Sequence, residues 1–202
     1  ENPAHLPKVA FLMLMRDERL ATLEARFDET TSRLALLRGG RHIVSGDLTT
    51  RSGRQLIEQF MAAYMAHSLR GPPRILSAEG HSFSDVAAKR VHLVNLASVR
   101  ELERVTGRPV DPLRFRPNVI FDSETPWQEE AWVGREITAG PVRLRVAKRT
   151  TRCAAPNVDP ATGARDMDIP AVLQRKWGHT LFGVYAEVLN AETLSVGDPL
   201  TA

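Results

Sequence analysis

The 202-residue sequence predicts a mostly-β (α+β) fold, a barrel with short helices packed on its outside. Two observations carry this expectation. Apolar residues fall mainly in short runs and alternations of strand length, several of them arranged as hairpin-like pairs. Helical spacing appears in only a few stretches, each closed by glycine or proline.

The elements follow in order. Val9 to Met15 is a continuous apolar run and reads as a strand buried on both faces. Leu34–Leu37, Gly39-Gly40 and His42–Val44 read as a hairpin with a glycine turn. Ser52 and Gln55 have the spacing of a capping box, and Leu56, Ile57, Phe60, Met61, Tyr64, Met65 and Leu69 then recur at helical intervals until Gly71-Pro72-Pro73. A polar loop from Gly80 to Lys89 precedes a buried strand, Val91 to Leu96. Ser98 and Glu101 suggest a second capping box, with Leu102 and Val105 as the apolar stripe and Gly107 as the stop. Asn118–Phe121 reads as a short strand, and Val142, Leu144 and Val146 alternate with Arg143 and Arg145 as in a half-exposed one. Asp168 and Pro170 open a short helix ended by Gly178. Phe182–Leu189 and Leu194–Val196 read as the last two strands.

Composition narrows the function. Hydrophobic residues at 43% and charged residues at 25% are ordinary for a soluble globular protein. No apolar run reaches the roughly 20 residues of a membrane span. No signal peptide or lipidation motif is visible, and the opening Glu1-Asn2-Pro3 suggests missing upstream sequence. A single cysteine excludes an internal disulfide and fits a reducing compartment, so a cytoplasmic location is expected. A net charge of +3 without a recognised reading motif argues against nucleic-acid binding. His81, His92, His179 and Cys153 lack the usual zinc-ligand spacing.

The chemistry converges on Cys153. Between Pro141 and Cys153 lie Arg143, Arg145, Lys148, Arg149 and Arg152 and no acidic residue. Such a strip suits an anionic ligand, or is simply a solvated strand face. Neighbouring cations favour thiolate, the nucleophile and soft-metal ligand, although a lone cysteine can equally be a buried, inert one. Asp159-Pro160-Ala161-Thr162-Gly163 is strong turn chemistry. Arg114-Phe115-Arg116-Pro117-Asn118 sets two guanidinium groups and an amide before a strand, with Pro117 expected to hold Arg116 extended.

Several motifs, in one order, resemble MOSC domains. They are Phe115-Arg116-Pro117-Asn118-Val119-Ile120, Pro126-Trp127-x-Glu129-x-x-Trp132, Gly134-Arg135-x-Ile137, Val142-x-Leu144-x-Val146, Thr151-Arg152-Cys153, Val158-Asp159-Pro160-x-Thr162-Gly163, Phe182-Gly183-Val184-Tyr185-Ala186 and Val196-Gly197-Asp198-Pro199. The set spans roughly residues 91 to 202. The resemblance implies a MOSC-type β-barrel with peripheral helices over 80–202. Residues 1–79 would form an N-terminal β segment plus helix, a truncated counterpart of the family's N-terminal region.

The resemblance also implies molybdenum cofactor (molybdopterin), with Cys153 as the metal- or sulfur-carrying residue. Arg116, Asn118, Thr151 and Arg152 match cofactor contacts, and Lys8 stands poorly for a basic phosphate contact of the N-terminal region. One implied function is a molybdenum-dependent oxidoreductase component that takes electrons from a donor protein and reduces an N-oxygenated small molecule. The other is a sulfur or cofactor carrier that receives a persulfide on Cys153 from a sulfur donor. A third reading is a binding module without cofactor. His81 and Asp85 are the candidate proton donors.

Overall fold

The computed structural model describes residues 8–77 and 88–202. The chain divides into two compact units: Glu1–Asp85 with Val158–Arg165, and Val86–Asn157 with Asp166–Ala202. Among the described residues no helix is long and apolar enough to cross a membrane.

In the first unit, β1 (Glu24–Asp28), β2 (Arg33–Arg38) and β3 (Arg41–Asp47) form an antiparallel sheet, and α1 (Arg51–Tyr64) packs on β3. The predicted hairpin is present, its turn made by Gly39 and Gly40 with φ of 56° and 73°. Gly46 and Gly53 let α1 approach the sheet backbone to backbone, since a Cβ on either would overlap main-chain atoms of the other element. The helix is capped not at Ser52 but at Thr50, whose side chain accepts from Gly53 N at 3.0 Å. It ends at Tyr64, short of Leu69.

Val9–Met15 is not a strand. A 3-10 turn, Lys8–Ala10, opens the segment, and Arg16 N and Asp17 N both donate to Met13 O at 3.0 Å. An apolar run records burial tendency, not strand pairing, and Val9 and Phe11 are in fact exposed. The strand β1 left little trace in sequence because every residue of this edge strand is exposed. The predicted Asp159 turn forms: Asp159 Oδ1 accepts from Ala161 N and Thr162 N, both at 2.8 Å, and Gly163 N donates to Asp159 O.

The second unit is a nearly closed, barrel-like sheet of six strands in the order β5-β4-β8-β7-β6-β9. These are β4 (Val91–Asn95), β5 (Val119–Phe121), β6 (Glu136–Ala139), β7 (Val142–Thr151), β8 (Leu181–Val188) and β9 (Leu200–Thr201). Among the described strands only β4–β5 pairs in parallel, and α2 (Leu96–Thr106) lies in their crossover. Alternation sorts side chains into two layers: Leu93, Leu144, Val146, Val184 and Ala186 fill one, while Val94, Val99, Leu102 and Phe182 meet Ile169 and Leu173 of α3 (Ile169–Trp177) in the other. Phe182 and Val184 share parity yet occupy different layers. Gly183 between them has φ of 73°, so a bulge resets the alternation.

Helix starts again depart from the expected caps. Asn95, not Ser98, caps α2, its Oδ1 accepting from Ala97 N at 3.0 Å. Asp168 caps α3 as expected, and Gly107 and Gly178 end their helices in the left-handed region. Leu194–Val196 is not a strand. Asp198 Oδ2 accepts from Ser195 N at 2.8 Å and Asp198 N donates to Ser195 O, which closes a turn. That turn delivers β9 to β6, and Pro199 O accepts from Gly140 N.

Ser98 instead serves a buried polar knot. Glu129, fully buried, accepts from Ser98 Oγ at 3.0 Å and from Asn95 Nδ2 at 3.0 Å, and Trp127 N donates to Ser98 Oγ at 2.8 Å. No cation pairs with it among the described residues, and burial pushes the Glu129 carboxyl above its ordinary 4.5, opposed by those hydrogen bonds. A raised carboxyl pKa makes its contribution to stability greatest below pH 4.5 and lost as pH rises through the folded value. Glu129→Gln should therefore keep the fold and remove this decline, read as the difference between wild-type and variant stability curves above pH 4.5. Glu129→Ala, which strands the buried Ser98 hydroxyl while Asn95 Nδ2 keeps Ser123 Oγ and Thr125 O, should cost about 1–3 kcal/mol. Parallel curves for wild type and Glu129→Gln would refute the assignment.

Candidate functional site

Cys153 lies two residues past the end of β7, at 10 residues the longest strand among the described residues, and is a half-buried free thiol. Both flanks are held. On one side Arg152 N donates to Thr180 O at 2.7 Å, and Arg152 Nη2 donates to Phe115 O at 2.9 Å. On the other, Ala155 and Pro156 are buried, and Asn157 N donates to Ala154 O at 3.3 Å. Asn157 Oδ1 accepts from Ile169 N at 3.0 Å.

The two arginines before β5 separate. Arg114 is 3% exposed and structural: it forms a bidentate pair with Asp166 (2.8 and 3.0 Å), and Nη1 also reaches Pro156 O at 3.3 Å. Arg116 is exposed, and its backbone is left-handed at φ 51°, ψ 53°, not extended. Capping explains the difference from the proline rule. Arg116 closes the 3-10 turn Pro112–Phe115, its N–H donating to Leu113 O at 2.9 Å, so the chain reverses before Pro117. A non-glycine residue held there costs of order 1–3 kcal/mol.

Asn118 is partly committed to architecture. Its N–H donates to His92 O at 2.9 Å and its Oδ1 accepts from His92 N at 2.8 Å, which extends the β4–β5 pairing by one residue. Nδ2 has no protein partner among the described residues. Thr151 ends β7 with an exposed side chain. Lys8 belongs to the first unit, and His81 and Asp85 lie outside the described residues.

Sequence reading missed the role of His92, which entered only as a non-zinc histidine. It is 4% exposed, with Nε2 at 3.4 Å from Phe182 O and 3.5 Å from Arg152 Nη1. Burial first, then the Arg152 charge, lowers its pKa to about 4. Gly183 makes room for the ring: a Cβ there would sit 2.7 Å from His92 Nε2 and 2.5 Å from Leu93 O. The available signal was Gly183 two residues before Tyr185, within a strand otherwise free of breakers.

The basic strip is partly neutralised by neighbours, two carboxylates facing three of its arginines. Arg143 and Arg145 both pair with Glu136 on β6 (2.8 and 2.6 Å), and Arg149 pairs with Glu130 at 3.2 Å. Two clefts of about 410 and 370 Å³ lie elsewhere in this unit, one beside α3 and one beside β9, and Cys153 lines neither.

Among the described residues no group of three His, Cys, Asp or Glu side chains could hold a metal by itself. A single sulfur suits a soft metal that arrives with its other donors already attached. The donor chemistry is of the kind a pterin-dithiolene group would take: a thiol at Cys153, an exposed guanidinium at Arg116 and an exposed amide at Asn118.

The family model that describes the MOSC domain matches residues 78–201, more than half of the chain. The chain belongs to the MOSC domain family. The MOSC match agrees with the barrel described above. Mitochondrial amidoxime-reducing component 1 of Mus musculus is 31% identical over 116 residues, 52% of this chain and 34% of that protein. Mitochondrial amidoxime reducing component 2 of Rattus norvegicus is 28% identical over 122 residues, 54% of this chain and 36% of that protein. A molybdenum cofactor sulfurase of Drosophila grimshawi is 33% identical over 117 residues, 54% of this chain and 15% of that protein. The chain therefore spans about a third of the length of the amidoxime-reducing relatives. The crystal structure of YiiM from Geobacillus stearothermophilus aligns at 20% identity with a TM-score of 0.44, covering 55% of this chain and 52% of that one.

His92 provides a direct check on the site's electrostatics. Its folded pKa of about 4 lies below the ordinary 6.5, so its contribution to stability is complete above pH 6.5 and is lost as pH falls through 4. The loss should approach roughly 3 kcal/mol. NMR titration should show a neutral imidazole down to about pH 4, and Arg152→Gln should raise that value without restoring 6.5, because burial is the larger cause. A titration near 6.5 in the wild type would show that the ring is solvated.

Proposed function

We propose that this chain is the molybdenum-cofactor-binding part of an oxidoreductase that reduces N-oxygenated small molecules, with Cys153 as the protein ligand to the metal. The observation that carries the reading is the pinning of Cys153 on both sides, by Arg152 to Phe115 O and by Arg114 to Pro156 O. A permanent ligand benefits from a rigid mount, whereas a cysteine that hands sulfur to a second protein needs reach. The similarity to amidoxime-reducing components supplies the substrate class.

In this reading the bound group supplies a two-electron redox centre. Cys153 contributes the protein sulfur. Arg116 takes an anionic oxygen of the group by charge-assisted hydrogen bonds, and Asn118 Nδ2 donates a further one. Thr151 and Lys8 are retained as cofactor contacts on the family resemblance. Reduction of the substrate consumes two electrons, delivered by a donor protein, and two protons. The N–O bond breaks and the oxygen leaves as water.

Full-length protein from a cofactor-producing host should contain about one molybdenum per chain at full loading, and Cys153→Ser should lose most of it. Equal molybdenum in both, with matching melting curves, would refute ligation. Arg116→Ala should weaken retention on dialysis by roughly 10- to 150-fold with the fold intact. Iodoacetamide should label Cys153 slowly in loaded protein and fast in cofactor-free protein. Equal fast labelling in both, with a persulfide mass on Cys153, would establish sulfur transfer instead.

A further inference from the structure

The family resemblance places Arg152 among the groups that touch the cofactor, yet its guanidinium is directed into the protein. Nη2 donates to Phe115 O at 2.9 Å, Nη1 lies 3.5 Å from His92 Nε2, and the guanidinium carbon lies 5.5 Å from the centroid of the Phe115 ring. Each of these partners belongs to the Arg116 side of the site. Phe115 is buried at 1% exposure, stacks on Phe182 at 3.8 Å, and is the residue immediately before Arg116. The His92 main chain makes two bonds to Asn118, accepting from its N–H and donating to its side-chain Oδ1. The main chain of Arg152, in turn, leads directly into Cys153 and is anchored to Thr180 O.

We propose that Arg152 is a positioning residue: it ties the Cys153 turn to the Phe115–Asn118 turn and so sets where the thiol lies relative to the Arg116 and Asn118 side chains. The proposal rests on the reading of Cys153, Arg116 and Asn118 as cofactor contacts. It assigns Arg152 the task of building the site before any ligand arrives.

The chemistry favours arginine for this. A planar guanidinium can donate to a carbonyl, approach an imidazole nitrogen and stack on a phenyl ring at once, whereas an ammonium is a hydrated point charge. His92 suits the arrangement because a neutral imidazole offers a lone pair to the cation. The strained backbone of Arg116 also needs an external restraint, and the bond from Arg152 to the preceding carbonyl is one.

The test uses full-length Arg152→Ala and Arg152→Lys, each made with and without cofactor biosynthesis in the host. Amide hydrogen exchange in the cofactor-free proteins reads Arg116, Asn118 and Asn157, whose N–H groups are bonded to Leu113 O, His92 O and Ala154 O. Amides of the β6–β7 pairing serve as the internal control. Loss of one charge-assisted bond should speed exchange at the three reporters by roughly 10- to 100-fold in Arg152→Ala, less in Arg152→Lys, with the control unchanged. Molybdenum retained after dialysis should fall in the same order.

Unchanged exchange at the reporters together with lost molybdenum would make Arg152 a direct contact and overturn the proposal. Exchange that rises equally in the control would make the effect global and also overturn it. Local loosening with full molybdenum retention, in a protein whose Cys153→Ser variant loses the metal, would refute positioning while leaving the ligand assignment standing. Full retention in Cys153→Ser would refute the ligand assignment itself. Should melting curves show that Arg152→Ala does not fold, Arg152→Lys decides by the same criteria.

Discussion

A guanidinium buried to 3% exposure must be neutralised where it sits, and in this protein Arg114 is neutralised by Asp166. Much of the site's surroundings follows from that pairing. With its charge compensated, Arg114 can hold the carbonyls of Pro156 and Asn157, which locks the turn after Cys153. Asn157 then accepts from Ile169 N, and its side-chain amide reaches Asp168, the residue that caps α3. The cap sets where α3 begins, and α3 supplies Ile169 and Leu173 to the core layer shared with Phe115 and Phe182. Removing either partner of such a pair typically costs 3–5 kcal/mol. Here the cost would fall on the loop that carries the thiol.

The barrel was legible in sequence wherever burial and backbone chemistry agree. Val142–Val146 announced β7 by alternation, Gly39-Gly40 announced its hairpin, and Asp168-Ile169-Pro170 announced α3. Errors arose where one local signal had two explanations. The apolar residues from Val9 to Met15 line a turn, because hydrophobicity alone specifies no hydrogen-bonding partner. Ser98 has the spacing of a capping residue, but Asn95 takes the cap and frees Ser98 to satisfy the buried Glu129. Such a trade is invisible until Trp127–Trp132 has folded back over α2.

The site was half legible. The single cysteine, with its order among the surrounding motifs, marked the family, which the match over residues 78–201 bears out. Its internal wiring was not readable, because that wiring depends on contacts between residues 26 to 60 positions apart, such as His92 with Asn118 and with Arg152. Arg116 before Pro117 illustrates the same limit. Local sterics favour an extended residue, and a tertiary requirement for chain reversal wins.

The strand β7 carries cations along its exposed face, and β6 and the 3-10 turn Gln128–Trp132 bring carboxylates to meet them. Charges compensated within a few ångströms form dipoles, whose fields decay far faster with distance than that of a lone charge and fade within the Debye length of about 8 Å at physiological salt. With two carboxylates set against three arginines, the pull of this face on an approaching polyanion is weakened, and encounters there depend less steeply on ionic strength than they would for the bare strip. Recognition by this flank of the barrel leans more on shape and short-range contact, while the positive potential is stronger at an exposed arginine with no carboxylate partner among the described residues, such as Arg116.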